Sequence, residues 1–306
     1  MTQSRGRIIA AAISILAGVF MAVQARVNGG LGLELGNGLL AALFSFGSGL
    51  IVIALILVSS RKQRRLMSKL VNKLRAGSLK PWALIGGTFG GLFVMTQGLA
   101  AGALGVALFT VGVVAGQAIS ALVVDGIGFM GLAKRRINSL RIGGTALALA
   151  GLIVTSEPAT YEISWLIVMP FLAGAGTGFQ QALNASLGQV AESPIVATLV
   201  NFLVGFSLIL VTTLVVQAGI DWPASFPSNP LLYIGGVIGV TFIFSQIIVV
   251  PKIGALATSI ALLFGQLGGS LLLDLIVPVA ARGITISTVV GIALVSAGAT
   301  LVLMKR

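Results

Sequence analysis

Apolar runs of about 20 residues, separated by short polar connections, recur from one end of the chain to the other. Ten can be drawn, at 8–27, 38–58, 82–101, 104–124, 140–155, 164–183, 194–217, 230–250, 253–277 and 284–304. Runs of this length suit helices crossing a hydrocarbon core of about 30 Å, and they lack the short alternating segments of a barrel. The pattern predicts an all-α integral membrane protein. The fifth run is short, which makes nine spans the rival count.

The runs are not independent. QARVNGGLG, Gln24 to Gly32, returns as QQALNASLG, Gln180 to Gly188, at an offset of 156. GGTFGGLFVMTQ, Gly86 to Gln97, returns as GGVIGVTFIFSQ, Gly235 to Gln246, and GQAISALVVD, Gly116 to Asp125, returns as GQLGGSLLLD, Gly265 to Asp274, both at an offset of 149. Three matches in one order mark a duplication, with units at 1–157 and 158–306. Five spans in each unit would set the second upside down relative to the first, the inverted-topology construction of many secondary transporters. The fifth run has a clear partner near the C-terminus, so ten spans are preferred over nine.

Charge placement tests that count. With a cytoplasmic N-terminus, all of the 19 basic residues except Arg26 and Arg282 fall inside, and both termini are cytoplasmic. Nine spans would place Lys305 and Arg306 outside. The expected location is the cytoplasmic membrane, multi-pass, with the first run retained as a span because it is too long for a signal-peptide core. The net charge of +12 then reads as orientation and contact with anionic headgroups, with no nucleic-acid partner. In the longer connection after the second run, Leu66, Leu70 and Leu74 with Met67 and Val71 form an apolar stripe among many Lys and Arg. This predicts a basic helix at about 61–76 lying in the inner interface against lipid. Asn37 and Ser193, at equivalent positions, are expected N-caps, with Pro194 in the first helical turn.

Composition narrows the chemistry. The chain is 57% hydrophobic and 8% charged, with a mean hydropathy of +1.10 and neither cysteine nor histidine. Disulfides, thiol nucleophiles, histidine bases and the usual Cys/His metal sites are therefore excluded. No acid–base, nucleophile–base or metal-ligand set can be assembled, so an enzyme, a cofactor and a metal are not expected. The 41 glycines carry no nucleotide-binding loop and read as close helix packing. Trp82, Trp165 and Trp222 fall at span ends, as interfacial anchors do.

Polar side chains at membrane depth are costly and usually face a cavity or a partner. Gln24 and Asn28 share a face of the first helix, as Gln180 and Asn184 do on the sixth. Inversion would set Gln24, Asn28, Ser45 and Gln97 in a layer near the outside, and Gln180, Gln181, Asn184, Asn201 and Gln246 in one near the inside. Between them Gln117 and Gln266, each after a glycine, lie near the midplane and are the leading substrate-binding candidates. The competing role for each amide is a hydrogen bond between helices. Asp125 and Asp274 are the acids that repeat; they are candidates for ion coupling, against a bland reading as helix-end carboxylates solvated by water and headgroups.

The segments AGVFMAVQARVNGGLG, GGTFGGLFV and GQAISALVVDGIGFMG, with their second copies, resemble two consecutive YdcZ-type domains of the drug/metabolite transporter superfamily. The resemblance covers nearly the whole chain. It implies an EamA-like bundle of ten helices as a five-plus-five inverted repeat, with a cavity lined by the first four helices of each half. It also implies that the fused chain works as a monomer, a dimer being the alternative, and that coupling is to protons. The reading is a secondary transporter, an exporter by preference, of a small organic molecule. The rivals are a non-transporting scaffold or lipid-binding protein, and a passive channel.

Overall fold

In the computed structural model, residues 3–155, 168–216, 223, 225–276 and 286–304 are described. The side chains of residues 3–4, 97–111, 155, 274 and 288 lie outside that description, which therefore leaves Gln97 and Asp274 without an account. The described residues form helices and turns, with no strand among them. Ten α-helices follow in order: α1 Gln3–Leu35, α2 Gly38–Ser59, α3 Arg61–Arg75, α4 Gly86–Ile127, α5 Ser139–Thr155, α6 Val168–Val190, α7 Pro194–Val216, α8 Gly235–Ile253, α9 Ala255–Ile276 and α10 Ile286–Leu303.

Among the described residues, five segments are long and apolar enough to cross a bilayer: Arg5–Leu35, Gly38–Ser59, Pro194–Val216, Pro230–Ile253 and Ala255–Leu273. Shorter apolar helices lie at Gly112–Ile127, Ser139–Val154 and Val289–Leu303. Large aliphatic side chains remain exposed along the outside of the bundle, Leu16, Ile51, Leu55 and Val215 among them, as hydrocarbon rather than water would demand.

Local chemistry explains where helices start and stop. Asn37 Oδ1 accepts from the backbone N–H of Leu39 (2.9 Å) and Leu40 (3.2 Å), and Ser193 Oγ accepts from that of Val196 (3.2 Å). Both expected N-caps are therefore formed. The short 3₁₀ turns Pro81–Leu84 and Pro230–Tyr233 each lead into a Gly-Gly helix start. Gly254, at φ +92°, makes the joint between α8 and α9, a conformation that a β-carbon would strain.

Helix α4 is assigned as one stretch of 42 residues, which laid straight would be about 63 Å long, twice a hydrocarbon core. Its contacts show otherwise. Gly86 lies against Asn184 and Gly90 against Gln180, so its first arm runs antiparallel to α6. Gly174 lies against Val113, Gly178 against Gln117 and Ser120, and Ser186 Oγ donates to the Met130 carbonyl (2.8 Å), so its second arm runs parallel to α6. The chain therefore reverses between Gly91 and Val113. Helix α1 meets α8 and α9 in the same way: Gln24 with Gly239 and Asn28 with Gly235 run antiparallel, and Ile15 with Gly265 and Val19 with Gly269 run parallel. Helices α5 and α10 pack on each other through Gly144 against Gly298 and Gly151 against Gly291.

Helix α3 corrects the expected lipid contact of its apolar stripe. Leu66 and Leu70 are buried in a protein cluster with Ile53, Leu79, Ala83, Leu187, Ala191 and Val196. Lys73 Nζ donates to the Val190 carbonyl (2.8 Å) and Ser193 Oγ donates to Gln63 Oε1 (2.5 Å), so the helix is fastened to the α6–α7 junction. A stripe only two leucines wide at its centre is used up by one protein groove. Leu66→Ala and Leu70→Ala should each cost about 2–5 kcal/mol of that docking. Faster trypsin cleavage at the exposed Lys62, Arg65 and Lys69 is the measurement that checks it.

Candidate functional site

Five of the amide side chains singled out by sequence, Gln24, Asn28, Gln180, Asn184 and Asn201, gather in two clusters, each built where one unit's first helix crosses the other unit's Gly-Gly helix start. In the first, Gln24 Nε2 donates to the Gly235 carbonyl (2.8 Å), and the Asn28 carboxamide oxygen rests on Gly235 beside the Ser45 hydroxyl. In the second, Gln180 Nε2 (3.0 Å) and Asn184 Nδ2 (2.9 Å) both donate to Asn201 Oδ1, and the Asn184 oxygen rests on Gly86. The glycines are needed because a β-carbon at Gly86 or Gly235 would occupy the asparagine's place.

The clusters differ in access. Gln24 and Asn28 are half-buried, whereas Gln180, Gln181, Asn184, Asn201 and Gln246 are buried. Gln181 Nε2 and Ser259 Oγ lie 3.3 Å apart across α6 and α9. Ser259 was not among the sequence candidates; its position one turn into a span was the available signal. Not all amide capacity is used. Asn28 Oδ1, Asn201 Nδ2 and Gln246 Oε1 are buried and without a hydrogen-bond partner. Each such group costs about 1–3 kcal/mol if left unmatched.

Gln117 and Gln266 are half-buried, and each follows a glycine at a close helix crossing. Gly116 abuts the Phe171 carbonyl and the Ala175 nitrogen on α6, and Gly265 abuts the Ile15 backbone on α1. The preceding glycines thus serve close helix contact, one of the two roles open to them in the sequence.

Asp125 requires a correction. Expected at a helix end bathed by water and headgroups, it is 4% exposed and solvated by protein. Its Oδ1 accepts from the Ala255 N–H (2.7 Å), its Oδ2 accepts from the Leu256 N–H (3.2 Å), and Arg141 Nη2 donates to Oδ2. The carboxylate ends α4 and at the same time caps the N-terminus of α9, where the helix dipole favours it. Arg141, read in sequence only as an inside cation, opens the apolar α5, and a charge in that position called for a partner. Trp82 is half exposed at its span end; Trp165 and Trp222 lie outside the described residues.

Among the described residues, no group of three metal-ligating side chains occurs. No curated protein matches the chain. A solved structure described only as "Crystal structure of protein" superposes with a TM-score of 0.64 at 16% identity, covering 97% of this chain and 96% of its own, which shows a shared fold. The family described as "Putative inner membrane exporter, YdcZ" matches residues 9–154 and again residues 165–301. Two amide-bearing units that complete each other's clusters are thus two family units, and the chain belongs to the YdcZ family of membrane exporters in the drug/metabolite transporter superfamily.

Proposed function

We propose that the protein is a secondary active transporter that exports a small organic molecule across the cytoplasmic membrane by alternating access. In this reading ten spans form a five-plus-five inverted repeat, the termini are cytoplasmic, and one chain suffices as a monomer. The observation that carries it is the set of buried, unpartnered amide groups: Asn28 Oδ1 in one cluster, Asn201 Nδ2 in the other, and Gln246 Oε1 on α8. A bundle serving only as a scaffold gains nothing from such groups, whereas a transport pathway needs hydrogen-bonding capacity that a passing ligand can use.

The unequal access of the clusters supports the same reading. The half-buried Gln24 and Asn28 belong to the side facing out, and the buried Gln180, Asn184 and Asn201 to a side held shut. Gln117 and Gln266 would contact substrate between them, where the halves pivot on their glycine crossings. Gln97 and Asp274 would complete the outer side, and Asp125 or Asp274 would carry any proton coupling.

A metabolite screen by thermal shift on the purified protein supplies the ligand, since binding to the folded state alone raises apparent stability. Gln117→Leu and Gln266→Leu should each abolish flux of that ligand in vesicles, with the amount of folded protein unchanged. Flux equal to the parent's would remove both residues from the site; flux that neither saturates nor responds to an ion gradient would make the protein a channel.

A further inference from the structure

We propose that Arg7, Arg135 and Arg141 form a binding site for the phosphate of an anionic phospholipid, with an acyl chain lying in the trough between α1 and the end of α10. The three guanidiniums come from the start of α1, the α4–α5 connection and the start of α5. Each is held in place. Arg7 Nη2 donates to the Leu303 carbonyl (3.3 Å), Arg135 Nη2 donates to the Lys252 carbonyl (2.9 Å), and Arg141 is paired with Asp125.

The cluster is short of negative charge. Asp125 is the carboxylate in contact with it, and two of that group's contacts are already backbone N–H groups of α9. Arg141 is 8% exposed, and its Nη1 is buried without an acceptor. Burial lowers the Arg135 pKa; Asp125 opposes the shift, while Arg141 and Arg7 add to it. Lys134 and Arg136 flank Arg135 in the chain, and Lys252, whose carbonyl Arg135 reaches, adds a further positive charge. An anion arriving here meets donors already positioned and an arginine that still has one NH₂ group without an acceptor.

Shape selects the kind of anion. Beside Arg7 opens a cavity of about 340 Å³ whose other walls are Ile8, Ala11, Ala12, Ile15 and Leu303. One cation at the head of an otherwise aliphatic trough matches a molecule with an anionic head and a hydrocarbon tail. A free phosphate would leave the trough unused, and an uncharged lipid would leave the guanidiniums unmatched. Basic pockets between transmembrane helices are where anionic headgroups are held. This inference rests on the protein's membrane location and not on its transport activity.

The test uses the full chain in detergent, titrated with dioleoyl phosphatidylglycerol, dioleoyl phosphatidylcholine or glycerol 3-phosphate, with thermal unfolding as the readout. Phosphatidylglycerol should raise Tm by several degrees more than phosphatidylcholine, and glycerol 3-phosphate should not reproduce the shift. Arg7→Gln should remove the difference between the two lipids, whereas Lys62→Gln with Lys69→Gln, on the exposed face of α3, should leave it intact. Arg135→Gln serves as the second variant should Arg7→Gln lower the basal Tm. Equal shifts with both lipids, an equal shift with glycerol 3-phosphate, or loss of selectivity in the α3 variant alone would each overturn the proposal.

Discussion

Gly265→Val should cost the folded protein about 3 kcal/mol or more, the upper end of what overpacking does, and Gly174→Val should do the same in the other half. At Gly265 a β-carbon would meet the Ile15 carbonyl carbon at 2.7 Å and its Cα at 3.0 Å; at Gly174 it would meet those atoms of Val113 at 2.7 and 2.8 Å. These are backbone atoms of a packed helix, so no side-chain rotation relieves the clash. The partner glycines repeat the arrangement: Gly18 abuts Leu262, Gly265 and Gln266, and Gly116 abuts Phe171 and Ala175. Every one of these crossings joins one unit to the other, so the substitution acts on the assembly of the two halves. Gly268→Ala is the control, since a β-carbon there meets nothing within 4 Å and alanine favours the helix by up to about 1 kcal/mol. Thermal unfolding in detergent compares the three; a Gly265→Val protein as stable as the Gly268→Ala one would show that the crossing is looser than described.

Those crossings mark how far the sequence could be read. The amide clusters were legible because their pattern is local: Gln24 with Asn28, and Gln180 with Asn184, fall one turn apart on single helices, and duplication said which residues to pair. The N-caps at Asn37 and Ser193 were legible for the same reason, being set by the next three residues. Contacts between distant segments left no such mark. Asp125 caps a helix that starts 130 residues later, so at its own position it looks like an acid set unfavourably at a helix end. The stripe of α3 carries a pattern that a lipid surface and a protein groove satisfy equally well, and only tertiary packing decides between them. Gly116 and Gly265 were visible as conserved partners of the internal repeat, yet whether each admits a ligand or a helix depends on Phe171 and Ile15, far away in the chain.

Asp125→Ala should be the most damaging substitution outside those crossings, at about 3–5 kcal/mol, because it strands a buried guanidinium and uncaps α9 together. Arg141 is 8% exposed and its Nη1 already lacks an acceptor, so losing Asp125 leaves the charge without a buried counter-ion in direct contact. Asp125→Asn should fall between, since a carboxamide oxygen can still accept from the Ala255 N–H while its NH₂ group turns a donor toward Arg141. Replacing both partners, Asp125→Leu with Arg141→Met, should recover most of the loss, as buried pairs exchanged for apolar groups of similar volume commonly do. Thermal unfolding of the parent, Asp125→Leu, Arg141→Met and the double variant closes a double-mutant cycle, and a coupling energy near zero would mean that the pair contributes nothing as a pair. The same double variant separates the two roles open to the carboxylate. If Asp125 only fastens α4 and α5 to the α8–α9 joint, the recovered protein should transport with its gradient dependence intact. If it also carries the coupling proton, the protein should regain its stability and still exchange substrate, but lose accumulation driven by a pH gradient.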